Sequence, residues 1–545
     1  MIFVLVAVLL VFPTVYHYQY HVLESASIFG DYLGLFSGLY YVFTALVLYR
    51  SYDAWRNKPQ RTALPFAIAT VLVNTEFWNL KVNIPVPISD GIVNSAYSTV
   101  VSSTGHLFGF ASSYLSYYAA WPLMQIELTS LSKLGGISTD VSTVILVTVW
   151  IVIVSMLAYY FFLRVTRSNF YSMLAVFAFS VFSIHYQAYT ATVPAFAFVF
   201  VFAQLFLVAD VVLARRNSSR NLIGIVTLSL ALGLTNFLTA LMIVFVMGAV
   251  GLGFGGLPKR LFILSSVGLL VPELYNTGLS IVVSSGRAIL QGSFFSQLTT
   301  YYSSKVGGSL PLWVSYVTLF WEIFFALPAL AGLLLLLTRK KNLTPGSAFL
   351  CWCLVGLVPY GLLLAGGVVY ITVLLVSIPV FTAPLITLVT GRRKEPVIAL
   401  SLLLLVLSLP TFLAYNRNTE TYKFYPQDTA MNDYLMYRFA SISGSTIIPT
   451  GIEPLTFIDT NTTILNLGIP TATTPKQLWA SWNATLAQLD GTRGTDVALV
   501  FSARSVLPWV SLMGITPTDS HWVQIESNLE LHNRIYDNAE ALIYV

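Results

Sequence analysis

Long apolar runs dominate this sequence and set what it can fold into. Thirteen runs of about 18 residues or more, the length that crosses a bilayer as a helix, are centred near residues 10, 41, 71, 152, 177, 202, 229, 247, 268, 324, 356, 379 and 405. Only 9% of the residues are charged, whereas a soluble chain carries roughly 25%, so most apolar residues must face lipid. The predicted fold class is a polytopic α-helical membrane protein with about 13 transmembrane helices. An ordinary soluble enzyme is excluded.

Basic residues collect in every second gap between these runs. One set of gaps holds 17 Lys and Arg residues, and the opposite set holds only Lys81, Lys133, Arg287 and Lys305. The positive-inside rule places the richer gaps in the cytoplasm. We therefore predict a multi-pass protein of the cell membrane with a cytoplasmic N-terminus and, after an odd number of spans, an extracytoplasmic C-terminus. Because the basic residues form no face interleaved with aromatics, a nucleic-acid partner is not expected.

The composition becomes polar beyond Tyr415, where 7 basic and 12 acidic residues follow. We predict a transmembrane domain at 1–414 and a small extracytoplasmic α/β domain at 415–545. A helix is predicted there from residues at helical spacing: Leu478, Trp482, Leu486 and Leu489. Strands are predicted at 446–449, 496–502 and 522–525, and a closing hairpin at 533–536 and 541–544.

Two extracytoplasmic segments, 80–138 and 276–310, are too long to be simple connectors. In the first, Asp90 stands directly before a helix-compatible stretch at 91–104. It either caps that helix or, as a carboxylate beside a cavity at the membrane surface, serves as a general base. The second segment is rich in Ser, Gly and Tyr, and we interpret it as a candidate lid.

Amphipathic stretches in 80–138 predict two helices that lie in the membrane interface and form a platform over the outer leaflet. The first is 91–104. The second combines apolar residues at Leu123, Ile126, Leu131 and Leu134 with polar residues that include Gln125, Glu127 and Lys133.

The order of features along 80–138 is Asp90, an interfacial helix, Thr104-Gly105-His106, a Tyr-rich link, Trp121-Pro122 and a second interfacial helix that ends in Gly-Gly-Ile-Ser at 135–138. This order resembles the first large outer loop of GT-C glycosyltransferases. It is most similar to archaeal proteins of the dolichyl-phosphate-mannose mannosyltransferase type. The short outer turn at 234–239 and the sequence NRIYDN at 533–538 also match, and with the span pattern the resemblance covers most of the chain from about Ala63.

The resemblance implies a GT-C-like transmembrane domain that acts as a hexosyltransferase. A sugar would pass, with inversion, from a polyprenyl-phosphate (dolichyl-phosphate) donor to an acceptor protein, lipid or glycan on the extracytoplasmic side. Asp90 would be the catalytic general base, and membrane lipid is the other partner implied. No metal-ligand set is predicted, and the sequence leaves open whether a divalent ion assists.

The resemblance also implies partners for the leaving phosphate. Relatives often carry His where this chain has Asn94 and Asn236, and an Arg in a late span, where this chain has none after Gly366-Gly367. The candidates for binding the substrate or its phosphate are therefore Lys81, Asn94, His106, Asn236, Arg287 and Lys305. His185, at a short outer turn, is a candidate for the same cavity. Glu76, near the outer end of its span, either joins the site as a second acid or snorkels to the headgroups.

Two other functions compete with this one. A lipid or solute transporter predicts midplane charges and an internal repeat, and we find no such repeat in the sequence. A non-catalytic membrane scaffold of GT-C ancestry is favoured by the missing late-span Arg and by the asparagines at the two customary His positions.

Overall fold

The structure, a computed structural model, is mostly helical. It describes residues 94–95, 97–99, 101–102, 105–106, 122–169, 171–172, 175–176, 193–214, 219–255, 260, 262–268, 270, 343–365, 431, 434–435, 446–449, 463–464, 475–491, 497–502, 518–532, 534–537 and 541–544. The helices with continuous bounds are α1 (Leu123–Gly135), α2 (Thr139–Thr166), α3 (Val193–Leu213), α4 (Ser219–Thr235), α5 (Phe237–Phe254), α6 (Pro345–Ala365), α7 (Pro475–Gly491) and α8 (Ser520–Leu529). The strands are β1 (Thr446–Pro449), β2 (Thr463–Ile464), β3 (Val497–Ser502), β4 (Arg534–Asp537) and β5 (Ala541–Tyr544).

Three of these helices are long and apolar enough to cross a membrane. The spanning lengths are Val141–Thr166 in α2, Phe196–Leu213 in α3 and Phe237–Phe254 in α5, with mean hydropathies of 2.6, 2.5 and 2.4. The shorter apolar helices α4 and α6 lie where spans are predicted near residues 229 and 356. These helices fit the predicted membrane-protein class. The count of about 13 spans and their direction stay predictions, because those centred near residues 10, 41, 71, 324, 379 and 405 lie outside the described residues.

Glycines let α5 and α6 approach closely. A Cβ atom at Gly356 of α6 would lie 2.5 Å from the Cα of Val246, and one at Gly253 of α5 would lie 2.1 Å from the indole nitrogen of Trp352. Small residues at helix crossings are typical of membrane bundles. Lipid provides no hydrophobic driving force for helix association, so close van der Waals packing of the backbones takes its place. The glycines therefore specify how this pair packs.

Polar contacts also join the apolar helices. Arg164, in the last turn of α2, forms an ion pair with Asp210 of α3, and the amide of Asn221 in α4 donates to the other carboxylate oxygen at 3.5 Å. The indole N–H of Trp150 in α2 donates to the backbone carbonyl of Phe196 in α3 at 2.9 Å. Helices α2, α3 and α4 are thus joined by polar groups near chain positions where basic residues begin to accumulate.

The C-terminal residues form a five-stranded sheet in the order β2-β1-β3-β5-β4. Strands β2, β1 and β3 are parallel, whereas β5 pairs antiparallel with both β3 and β4. The four predicted α7 residues are buried, and their core also contains Ile448, Val497, Leu499, Trp522, Ile525, Leu529 and Tyr544. The predicted helix and the strand at 446–449 are confirmed. The strand predicted at 496–502 is observed at 497–502, and the closing hairpin is formed by 534–537 and 541–544 instead of 533–536 and 541–544. The membrane side of this sheet stays a prediction.

The predicted strand at 522–525 is wrong, because these residues belong to helix α8. Trp522, Ile525 and Leu529 are buried at helical spacing, and the Asp519 side chain accepts from the backbone N–H of His521 to cap the helix. The β-prone residue types of 522–525 suited a strand, but the cap and the longer period of three to four residues favour a helix.

The chain divides into two compact units. The described residues of 94–144 and of the C-terminal sheet belong to one unit, and those from Ile145 to Ala365 belong to the other. The boundary predicted between 1–414 and 415–545 stays a prediction.

Candidate functional site

The structure describes three of the predicted site residues, Asn94, His106 and Asn236. The others lie outside the described residues: Asp90, Lys81, Glu76, His185, Arg287 and Lys305. The geometry of the candidate site is therefore that of the helices next to Asp90 in the chain.

A helical segment follows Asp90 and ends at a glycine. The described residues from 94 to 102 are helical, as predicted for 91–104. The backbone N–H of Gly105 donates to the carbonyl of Val101 at 2.9 Å, and Gly105 has a φ of 72°. A left-handed residue in this position is a common helix C-cap that favours glycine, which explains the glycine of Thr-Gly-His. His106 follows it and is exposed.

Helix α1 presents its apolar residues in an unexpected direction. Ile126 is 39% exposed and Leu134 is 90% exposed, although both were predicted members of the apolar face. The buried residues are instead Met124, Gln125 and Leu128. The exposure of Ile126 and Leu134 differs from the predicted apolar face, and the position of α1 in the membrane interface stays a prediction.

A buried pair of amides joins the two helices. The Gln125 side-chain nitrogen of α1 donates to the side-chain oxygen of Asn94 at 2.9 Å, and both residues are 0% exposed. One turn further along both helices, the Thr129 hydroxyl donates to the backbone carbonyl of Ser98 at 3.2 Å. Asn94 and Ser98 are four residues apart on one helix, and Gln125 and Thr129 are four residues apart on the other. The two contacts therefore fix the register of the 94–102 helix against α1.

Hydroxyl groups hold a second flank of the same helix. The Ser95 hydroxyl donates to the Thr139 hydroxyl at the start of α2 at 3.1 Å, and the Thr99 and Thr139 hydroxyls lie 2.6 Å apart. The rotation of the 94–102 helix is therefore set from two directions. Asp90 precedes Asn94 by four residues, one helical turn, so a helix that extended this far back would carry both on one face.

One buried acceptor in this cluster has no partner. Among the described residues, the Gln125 side-chain oxygen Oε1 has no hydrogen-bond partner, although Gln125 is 0% exposed. An unpaired polar atom in a protein interior is costly, and such an atom beside a candidate site indicates a place where a ligand group could bind. Sequence reasoning missed this role. The one available signal was a Gln between Met124 and Leu128, on the side of α1 opposite to the exposed Leu134.

Burial changes the electrostatics of this region. Desolvation raises the pKa of the buried Tyr97 to about 12, and it also raises the pKa of Glu127 above its ordinary value. Both side chains are partly withdrawn from water, and a hydrogen bond or a charge acts more strongly in such surroundings than in water. Across the part of the chain that the structure describes, no three His, Cys, Asp or Glu residues cluster as metal ligands would.

Asn236 has a structural task that the sequence did not predict. It lies between α4 and α5, is 3% exposed and caps α5, since its side-chain oxygen accepts from both the backbone N–H and the hydroxyl of Thr239 at 2.9 and 2.8 Å. Only its amide NH₂ could therefore meet a phosphate. Asn236 and Asn94 belong to different units, and the predicted phosphate role of each stays a prediction.

Comparison of the chain with protein-family models and with curated protein sequences finds no match.

Proposed function

We propose that this chain is a membrane glycosyltransferase that moves a sugar from a polyprenyl-phosphate donor to an acceptor hydroxyl on the extracytoplasmic side. The proposal rests on the resemblance of 80–138 to the first outer loop of GT-C enzymes. The observation that carries it is the buried Asn94–Gln125 amide pair. The pair fixes the 94–102 helix against α1 four residues after Asp90 in the chain, and a general base must be held within hydrogen-bond reach of the proton that it removes.

In the proposed reaction Asp90 removes the proton from the acceptor hydroxyl. The resulting oxygen nucleophile attacks the anomeric carbon, and the bond from that carbon to the phosphate oxygen breaks in the same displacement, with inversion. The leaving phosphate carries the negative charge away and requires cationic or hydrogen-bonding partners. The candidates for this task are Lys81, Arg287, Lys305 and His106.

A transfer assay on the reconstituted full chain tests the proposal. We expect transfer from a polyprenyl-phosphate hexose, and a loss of about 10²-fold or more in kcat for Asp90→Asn, the usual contribution of a general base. Glu127→Gln is the matched control, because it removes a carboxylate from the same outer segment without touching the Asn94–Gln125 pair. Full transfer by Asp90→Asn would remove Asp90 from the mechanism.

A non-catalytic scaffold is the second candidate. Asn236 favours it, because the side-chain oxygen at this customary His position is engaged in a helix cap. Absence of transfer by the intact chain with every polyprenyl-phosphate hexose would favour the scaffold.

A further inference from the structure

The Gln125 side chain has two polar atoms, and the described part of the chain pairs only one of them. Gln125 is 0% exposed, and its amide nitrogen is engaged with Asn94 while Oε1 has no hydrogen-bond partner. A gap between the two helices does not explain the unpaired oxygen, because Thr129 and Ser98 are hydrogen-bonded across the helices one turn away.

The chemistry of the pair restricts what can bind there. The two amides could both be turned over, so that Asn94 donates to Gln125, because oxygen and nitrogen of an amide have the same shape. In either arrangement one polar atom of Gln125 remains unpaired, an acceptor in the first and a donor in the second. A hydroxyl group satisfies both, since it donates and accepts. A phosphate oxygen or an ammonium group satisfies only one.

We propose that Gln125 binds a hydroxyl group of the sugar carried by the polyprenyl phosphate, and so helps to select the donor's sugar. This inference rests on the proposed function, because it places the donor's head group beside Asn94. Gln125 is thereby a substrate-binding residue of α1, and the Asn94 amide holds it in place.

Binding of single-hydroxyl analogues tests this selectivity. The full chain in lipid nanodiscs is titrated with polyprenyl-phosphate mannose and glucose and with the monodeoxy analogues of each. We expect one monodeoxy analogue to bind about tenfold more weakly than its parent, the effect of one lost hydrogen bond at a buried site. In Gln125→Leu this preference is lost or inverted, because leucine offers no acceptor to the parent's hydroxyl and the monodeoxy analogue has no hydroxyl to leave unpaired.

Two further variants separate binding from folding. Gln125→Glu keeps an oxygen acceptor at the same place, and with the Asn94 amide turned over its NH₂ donates to the new carboxylate, so the preference is expected to be retained. Thr129→Val breaks the neighbouring contact between the same helices without touching Gln125, and it is expected to keep the full preference even where its stability falls. A loss of preference in Thr129→Val equal to that in Gln125→Leu would show that only the packing of α1 matters, and would overturn the proposal.

The outcomes distinguish this inference from the proposed function. Selective binding that depends on Gln125, without any turnover, leaves the inference standing and removes the transferase activity. Turnover with the same preference in the wild type and in Gln125→Leu supports the transferase activity and overturns the inference about Gln125. The unpaired oxygen would then hold only a buried water. No binding of any of these lipids overturns both.

Discussion

Gln204 of α3 donates a hydrogen bond of 2.8 Å to the hydroxyl of Ser229 in α4, and both side chains are buried. The same amide nitrogen donates to the Ser265 hydroxyl at 2.9 Å. Gln204 lies near the middle of a helix long enough to span a membrane, so its amide links three apolar segments where water is scarce. Hydrogen bonds of this kind hold membrane helices together.

The strength of this link is testable with a double-mutant cycle. Gln204→Leu and Ser229→Ala are expected to couple by about 0.6 kcal/mol, and by no more than about 1.7 kcal/mol, the range measured for hydrogen bonds between membrane helices. The coupling is modest because the polar groups also find partners in the unfolded reference state within the membrane. Reversible unfolding in detergent provides the measurement. The control is Ser266→Ala, whose exposed hydroxyl bonds only within its own helix; it is expected to show no coupling to Gln204.

Beside the Gln204–Ser229 hydrogen bond, the backbone of α4 lies very close to the backbone at Gly268. Substitution of the glycines at this crossing is expected to change stability more than loss of the hydrogen bond. A Cβ atom at Gly268 would lie 2.1 Å from the carbonyl oxygen of Ser229, and one at Gly233 would lie 1.8 Å from the carbonyl oxygen of Gly268. Because backbone cannot move aside cheaply, we expect Gly233→Ala and Gly268→Ala each to lower the free energy of unfolding by about 3 kcal/mol or more, the upper range for overpacking.

Gly224, which lies in α4 together with Gly233, provides the matched control. A Cβ atom there would meet only the end of the Leu207 side chain, at 2.8 Å. That side chain can change rotamer, and alanine favours the helix, so Gly224→Ala is expected to change stability little. Equal losses in all three variants, measured by thermal unfolding in detergent, would show that the helix crossing is not the cause.

Periodic burial explains which parts of the fold could be predicted from the sequence. The apolar runs gave α2, α3 and α5, and the spacing of Leu478, Trp482 and Leu486 gave α7, because each pattern follows from the repeat of one element. The run at 522–525 is so short that its pattern fits both the two-residue period of a strand and the 3.6-residue period of a helix. The deciding contact, the cap from Asp519, lies outside the run.

The candidate site was less predictable for a different reason. Asn94 was identified through the resemblance, since relatives often carry His at this position. Gln125 was not identified, because the pairing of two helices depends on their relative rotation. An amphipathic pattern defines an apolar face without saying whether protein or lipid covers it. In α1 the residues that meet protein include the polar Gln125, and Leu134 is exposed. The orphaned oxygen of Gln125 could be found only once the helices were placed together.

Glu127 makes the stability of the chain depend on pH. Burial raises the pKa of its carboxyl group in the folded state above the ordinary value, so the folded chain holds this proton more tightly than the unfolded chain. The resulting stabilisation is present at pH below the ordinary Glu pKa and is lost as the pH rises through the raised value. At neutral pH we therefore expect Glu127→Gln to have a higher melting temperature than the wild type, and the difference to shrink as the pH falls. Melting curves of both chains over a pH series provide the measurement; a difference that is constant with pH would contradict this origin.

Asn236 offers a way to separate capping from catalysis. Its oxygen satisfies two donors of Thr239 at the start of α5, so Asn236→Ala is expected to cost about 1 kcal/mol of stability, the usual value of an N-cap. Asn236→Ser keeps a capping oxygen, and its free energy of unfolding is expected to stay within a few tenths of a kcal/mol of the wild type. It removes the amide NH₂, which is the one group of Asn236 that could donate to the leaving phosphate. If that group binds the phosphate, as the resemblance implies, transfer falls in Asn236→Ser while the melting temperature is kept. Because the two properties change independently in this variant, unchanged transfer would assign Asn236 to the cap alone, and the phosphate would then have to be held by the remaining candidates of the outer segments.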